Sequence, residues 1–318
     1  MLRFIKDWTL PLAMLTGTII YLAFANFDFL TPLRPAAKTA TAILTPTLIF
    51  AQLLITFSKI DTKDLKPSRW HLWLMLFQVG ISLAIVALLA WGQVDIVFRE
   101  IFEGALVCFI CPTATAAAVI TAKLGGNASS LTTYTLLSNF STAIFVPLLF
   151  PIVEPHGGLT FFDAFLMILG KVFPLLLSPF IIALLIKAFV PRLHGLLVAH
   201  SNVAFYLWGI ALVIVSGQTV KSLCESDAGG FIKLLIAAAG LVTCCLQFWL
   251  GRRVGRVYGE RITAGQALGQ KNTVLAIWMA ATYLDPVTSV APGSYVLWQN
   301  SINSWQLWKQ RKKQKDKQ

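Results

Sequence analysis

The residues with the most chemistry to offer lie in three short stretches of an otherwise apolar chain. Gln270-Lys271-Asn272-Thr273 follows Gly269 inside the apolar run from Ile262 to Leu284. Cys111-Pro112-Thr113-Ala114-Thr115 sits at the midpoint of the run from Ile101 to Ala122. Trp298-Gln299-Asn300 follows Pro292-Gly293 close to the end. None of the three holds paired acids, a histidine cluster or a nucleophile beside a base. They offer hydrogen bonds and one positive charge, which suits holding a polar solute or an ion. A lysine at the centre of a membrane helix costs about 2.5–3.5 kcal/mol on insertion scales. It therefore faces a bundle interior or a water-filled cavity, unless it lies near a helix end and snorkels to the headgroups. The apolar residues that follow, Val274 to Leu284, favour the interior.

Composition sets the surroundings. Of 318 residues, 57% are hydrophobic and 13% charged, with a mean hydropathy of +0.72. A soluble domain carries about a quarter charged residues, so the chain reads as one all-α polytopic membrane domain. Tryptophans and tyrosines suit interfacial belts. The net charge of +12 reflects membrane topology, as its placement shows, and no nucleic acid partner is expected. Five cysteines are an odd number, and Cys108-x-x-Cys111 lacks a second Cys or His pair, so it reads as small apolar packing. No cofactor, metal centre or obligate protein partner is expected. Met1 to Lys6 and the apolar stretch after it read as the start of a first membrane helix and not as a cleaved signal.

A spanning helix needs about 20 mainly apolar residues. Ten candidates follow in order: Trp8 to Phe27, Ala40 to Phe57, His71 to Trp91, Ile101 to Ala122 and Ser130 to Val153. The second set runs Lys171 to Val190, Val203 to Val220, Phe231 to Leu250, Ile262 to Leu284 and Val287 to Trp308. A short interfacial segment, Phe162 to Leu169, precedes the sixth span, and residues 309–318 form a solvated basic tail. With both ends on one side, 19 of the 26 lysines and arginines fall on that side and six on the other, Lys271 completing the set. The positive-inside rule then places both termini in the cytoplasm, with the protein in the plasma (inner) membrane.

The fourth and ninth spans hold the interruptions at Pro112 and at Gly269 to Thr273. Proline removes a backbone hydrogen bond and clashes with the preceding turn, and in lipid the freed groups need protein or a water-filled cavity. Both interruptions fall at the same place in each set of five. Five helices per half inverts the second half, and matched broken helices point to a transporter site near the midplane. The fifth span carries Thr132, Thr135, Ser138 or Asn139, and Thr142 on one face, a pattern that also serves ordinary packing. Gln78 stands alone in the third span.

With these residues in hand, the chain resembles the bile acid:sodium symporter family. The resemblance rests on Cys111-Pro112-x-x-Thr115-Ala116, on Asn272-Thr273-Val-Leu-Ala276 and on Ala291-Pro292-Gly293…Trp298-Gln299-Asn300. Lys171-Val-x-x-Pro174 and the charged turn after the second span are similar too. It implies two inverted repeats of five helices, with the fourth and ninth unwound where they cross in a core domain (about 71–153 and 231–308). A panel domain (about 8–57 and 162–220) would pack against it. It implies transport of an organic anion, such as a bile acid or a small carboxylate, by alternating access, with no enzymatic activity. The expected substrate contacts are Thr113, Thr115, Asn272, Thr273, Gln299 and Asn300, helped by the free N–H groups that begin the second half-helices.

The resemblance also exposes a departure. The family's sodium ligands would fall on Ala117 and Ala118, on Thr135, on Ala267 and on Lys271, with Gln78 kept in the second site. Alanines offer no side-chain oxygen, and a lysine ammonium repels a cation 4 Å away by about 4 kcal/mol at an effective dielectric near 20. The expectation is that the Lys271 ammonium stands where sodium would, donating to backbone carbonyls and to Gln78. It is then either a fixed internal cation or a group that loses a proton during the cycle, with Glu103 the one acid placed to help; it could instead pair with the substrate carboxylate. A non-transporting sensor on the same fold, or a membrane-embedded enzyme, are the alternatives.

Overall fold

Long apolar runs without internal turn signals become helices because a membrane leaves backbone N–H and C=O groups no other partners. The computed structural model describes residues 9–61, 63, 65–92, 94–155 and 158–315. The expectations placed on Met1 to Trp8 and on the last three residues of the tail lie outside them. Among the described residues there are thirteen α-helices and no strand, only one isolated bridge. They are α1 (Thr9–Asn26), α2 (Arg34–Phe57), α3 (Arg69–Trp91), α4 (Ile96–Ile110), α5 (Ala117–Lys123), α6 (Ala128–Val153) and α7 (Phe161–Phe189). Then follow α8 (Pro191–Ala199), α9 (Val203–Glu225), α10 (Gly230–Val257), α11 (Arg261–Gly269), α12 (Thr273–Tyr283) and α13 (Val290–Lys315). Six segments are long and apolar enough to cross a membrane: α2 with the 3-10 turn before it, α3, α6, α7, α9 and α10. α1 and α12 are apolar but shorter. The chain is thus an all-helical polytopic membrane protein.

Several boundaries differ from the sequence reading, each for a local reason. α2 starts at Arg34, not Ala40, since Pro35 fits a first turn whose N–H would be unpaired anyway. The interfacial segment and the sixth span are one helix, α7, whose start is capped by Thr160 accepting from the Asp163 N–H at 3.2 Å. Pro174 and Pro179 are accommodated within it. The short helix α8, with no buried residue, was not anticipated. α13 continues to Lys315, so most of the basic tail is helical: Lys309 and Lys312 lie over the rings of Trp305 and Trp308, one turn back.

α10 is the hub around which α4, α11 and α13 pack, while α9 packs on α1 and α2, and α6 on α7. Missing side chains make the closest of these contacts possible. A Cβ at Gly251 of α10 would lie 2.4 Å from the Ala264 carbonyl oxygen of α11, and one at Gly240 would lie 2.3 Å from that of Ala291 in α13. Both sites require the glycine because the obstacle is backbone, which cannot rotate aside. This close seating fixes α11 and α13 against α10.

Candidate functional site

The last carbonyls of an α-helix have no partner within it. At the end of α4, Pro112 ensures that none is supplied by the next turn. Four side chains do so instead, three from α3, α6 and α10 and one, Lys271, from the break between α11 and α12. Gln247 donates through Nε2 to the Cys108 carbonyl at 3.1 Å, and Gln78 through Nε2 to that of Ile110 at 3.0 Å. Thr142 also donates to Ile110, at 2.8 Å. Lys271 Nζ donates to the carbonyls of Phe109 at 3.0 Å and Cys111 at 2.9 Å, and to Gln78 Oε1 at 3.2 Å. An ammonium has three N–H donors, so its hydrogen-bonding capacity is filled. It is 1% exposed, and all three acceptors are neutral oxygens. The negative end of the α4 dipole, with those carbonyls, is what the charge faces.

The two breaks meet directly. Ala114 N–H donates to the Gln270 carbonyl and Asn272 N–H to that of Pro112, both at 2.9 Å, forming an antiparallel bridge between Thr113 and Lys271. Each bridging residue also serves the other helix's end. While Lys271 closes α4, the Thr113 hydroxyl donates to the Ala267 carbonyl of α11 at 2.6 Å. Tyr295 OH donates to the Gly269 carbonyl at 2.8 Å, and the Phe248 ring fills the space a Cβ at Gly269 would need. Gln299 clamps the Lys271 backbone from α13, accepting from its N–H at 2.9 Å and donating to its carbonyl at 3.3 Å. On the far side, Asn272 caps α12 by accepting from the Leu275 N–H.

Of the residues singled out from sequence, the crossing brings together Thr113, Lys271, Asn272, Thr273, Gln299 and Gln78. Thr115 lies beside it, partly exposed, as is Asn272. Three lie apart from the Lys271 bonds. Asn300 donates to the Val296 carbonyl of its own helix, and Thr135 to that of Leu131. Glu103 is ion-paired with Arg99 at 3.1 Å. Ala117 and Ala267 are fully buried and Ala118 is partly so. Sequence reasoning missed Tyr134, which donates to Gln78 Oε1 at 3.4 Å, and the Gln247–Tyr295 pair at 3.3 Å. It also missed a buried amide ladder. Gln270 donates to Asn303 Oδ1 at 3.2 Å and to Gln266 Oε1, and Gln266 donates to Gln306 Oε1 at 2.8 Å. Gln299, Asn303 and Gln306 recur at helical spacing, and that spacing was the available signal.

Thr113→Val tests the reciprocal capping. It keeps the side chain's shape but leaves the Ala267 carbonyl buried without its hydroxyl donor, a loss of about 1–3 kcal/mol. Thermal melting of the purified protein should show the drop, while Thr115→Val, at a partly exposed position with no such bond, should melt near the wild type.

The model of the sodium bile acid symporter family matches residues 45–226. That span runs from within α2 to the end of α9 and includes Gln78, the α4 break and the hydroxyl-lined face of α6. Lys271 and α10 to α13 lie beyond it. No curated protein matches the chain at a significant level.

Proposed function

From the premise that the chain belongs to the sodium bile acid symporter family, we propose that this membrane transporter carries an organic anion by alternating access, with Lys271 as a built-in cation in place of sodium. On this reading the chain makes ten spans as two inverted five-helix repeats, both termini cytoplasmic. The broken pairs α4/α5 and α11/α12 are the fourth and ninth spans and cross in a core domain that moves against a panel. The match of both breaks in position, and the bridge between them, supports the repeat. Bile acids and small carboxylates are the candidate substrates. The partly exposed Thr115 and Asn272 are the side chains best placed to touch them, whereas Thr113, Thr273 and Gln299 hold the crossing together.

One observation carries the coupling reading. The Lys271 ammonium occupies a nest of two helix-end carbonyls and an amide oxygen, the hard neutral oxygens that would otherwise replace a small cation's hydration shell. A second cation beside it meets repulsion, and Ala117, Ala118 and Ala267 add no side-chain oxygen. The test is uptake into proteoliposomes in sodium and in choline medium. The substrate is first found by thermal-shift screening among bile acids, pantothenate-like acids and keto acids. Equal uptake in the two media is the expected result; strong sodium stimulation overturns it. Acceleration by an inward proton gradient alone would assign Lys271 the role of proton carrier instead.

A further inference from the structure

The basic end of α10 holds a groove of about 470 Å³ that the transport reading does not use. One stripe of α10 lines it: Trp249, Arg252, Arg253 and Arg256 recur at three- and four-residue spacing and share a face. Arg261, at the start of α11, and Trp305 of α13 line it too. Among the described residues, no carboxylate lines the groove. The nearest acid in sequence, Glu260, accepts instead from Thr263 at 2.6 Å and from Asn127 at 3.4 Å. Four arginines therefore line the groove, while Glu260 lines the adjoining pocket beside Arg252 and Arg261.

Like charges gathered at one place repel, so a shared function has to outweigh that. The positions are also built. Gly265 leaves the space through which the Arg252 stem runs, since a Cβ there would lie 2.5 Å from Arg252 Cγ. Arg253 is held over the Trp249 ring at 5.4 Å. Cys245, Phe248 and Ile302 add an apolar part to the same lining, and Trp249 and Trp305 are both exposed, with Arg253 over one ring and Lys309 over the other. A basic pocket continuous with an exposed apolar wall between membrane helices fits a ligand with a phosphate at one end and a hydrocarbon chain at the other.

We propose that this groove binds an anionic phospholipid of the bilayer. Its phosphate sits on Arg252, Arg253, Arg256 and Arg261, and an acyl chain lies along Trp249 and Trp305. A free phosphate would use the arginines and leave the aromatic wall unfilled, so the bilayer lipid is the occupant the lining selects. The inference needs only that the chain lies in a membrane, and it stands or falls apart from the transport reading.

The test uses the full-length protein in phosphatidylcholine bilayers carrying brominated phosphatidylglycerol, which quenches tryptophan fluorescence on contact. Saturable quenching at low mole fraction is expected, and brominated phosphatidylcholine should not reproduce it. With each basic residue contributing about five-fold, Arg253→Gln/Arg256→Gln should weaken it by on the order of twenty-fold. Lys59→Gln/Arg192→Gln removes the same charge from exposed positions outside the groove and should leave it unchanged. Trp249→Phe should remove part of the quenched signal in the wild-type background. Equal loss in the two charge variants, or equal quenching by the zwitterionic lipid, overturns the proposal. So does displacement by millimolar inorganic phosphate, which would make this a free-anion site.

Discussion

Lys271→Met should leave a folded protein whose uptake has fallen by about an order of magnitude or more, whereas Lys271→Ala should also melt well below the wild type. The two variants separate what the lysine holds together from what it does. Alanine strips donors from the carbonyls of Phe109 and Cys111 and from Gln78 Oε1. Each unpaired buried acceptor costs about 1–3 kcal/mol, and truncating a large buried side chain adds a cavity cost of about 2–5 kcal/mol. Methionine leaves the same acceptors without the lysine's N–H groups, but it fills nearly the same volume and so escapes the cavity cost, and it removes the cost of burying a charge, which offsets part of the loss. Methionine has no charge to stand in for a cation. If Lys271→Met transports like the wild type, the lysine is a helix cap alone and the built-in cation is wrong. If wild-type uptake is sodium-driven, the same conclusion follows by a separate route.

Gly251→Ala should lower stability by about 1–3 kcal/mol, the cost of overpacking a close contact, and Gly240→Ala should do the same. In both, the new methyl would meet a backbone oxygen at less than 2.5 Å, so α10 must move away from α11 or α13. Gly80→Ala is the contrast. Nothing lies within 4 Å of a Cβ there, and it sits inside α3. Alanine's better helix propensity should make that variant up to about 1 kcal/mol more stable. Thermal melts of the three variants in one detergent decide the matter. A stable Gly251→Ala would mean that the α10–α11 seam is looser than its geometry implies.

The helix breaks were legible in the sequence because their causes are local. Pro112 has no N–H, and a lysine flanked by Gln270 and Asn272 has no place in a lipid-facing turn. The contact of Lys271 with Gln78 was expected from the family resemblance, which sets both at sodium-site positions; the residues alone say only that an isolated amide in an apolar span needs a partner. Gln247 obeys the same rule and was passed over. What was not legible is register: nothing local says that Thr113 will lie opposite Lys271, or that Thr142 will reach Ile110 while Thr135 bonds within its own helix. Asn300 looked like a site residue beside Gln299. Neighbours on a helix point about 100° apart, and it is Asn303, four residues on, that shares the buried face. Helix ends such as Arg34 and Lys315 depend on capping and on where charges can snorkel, which hydropathy alone does not report.

The crossing also imposes an order on the molecule's birth. The carbonyls of Phe109 and Cys111 wait for a lysine encoded about 160 residues later. At synthesis rates of about 5–20 residues per second, the end of α4 stands open for roughly 8–32 s after it is made. The Ala267 carbonyl has no such delay, because Thr113 is already present when α11 emerges. The amino-terminal half is therefore the vulnerable one. A nascent chain stalled before Lys271 leaves those two carbonyls without the donor that closes them in the finished fold.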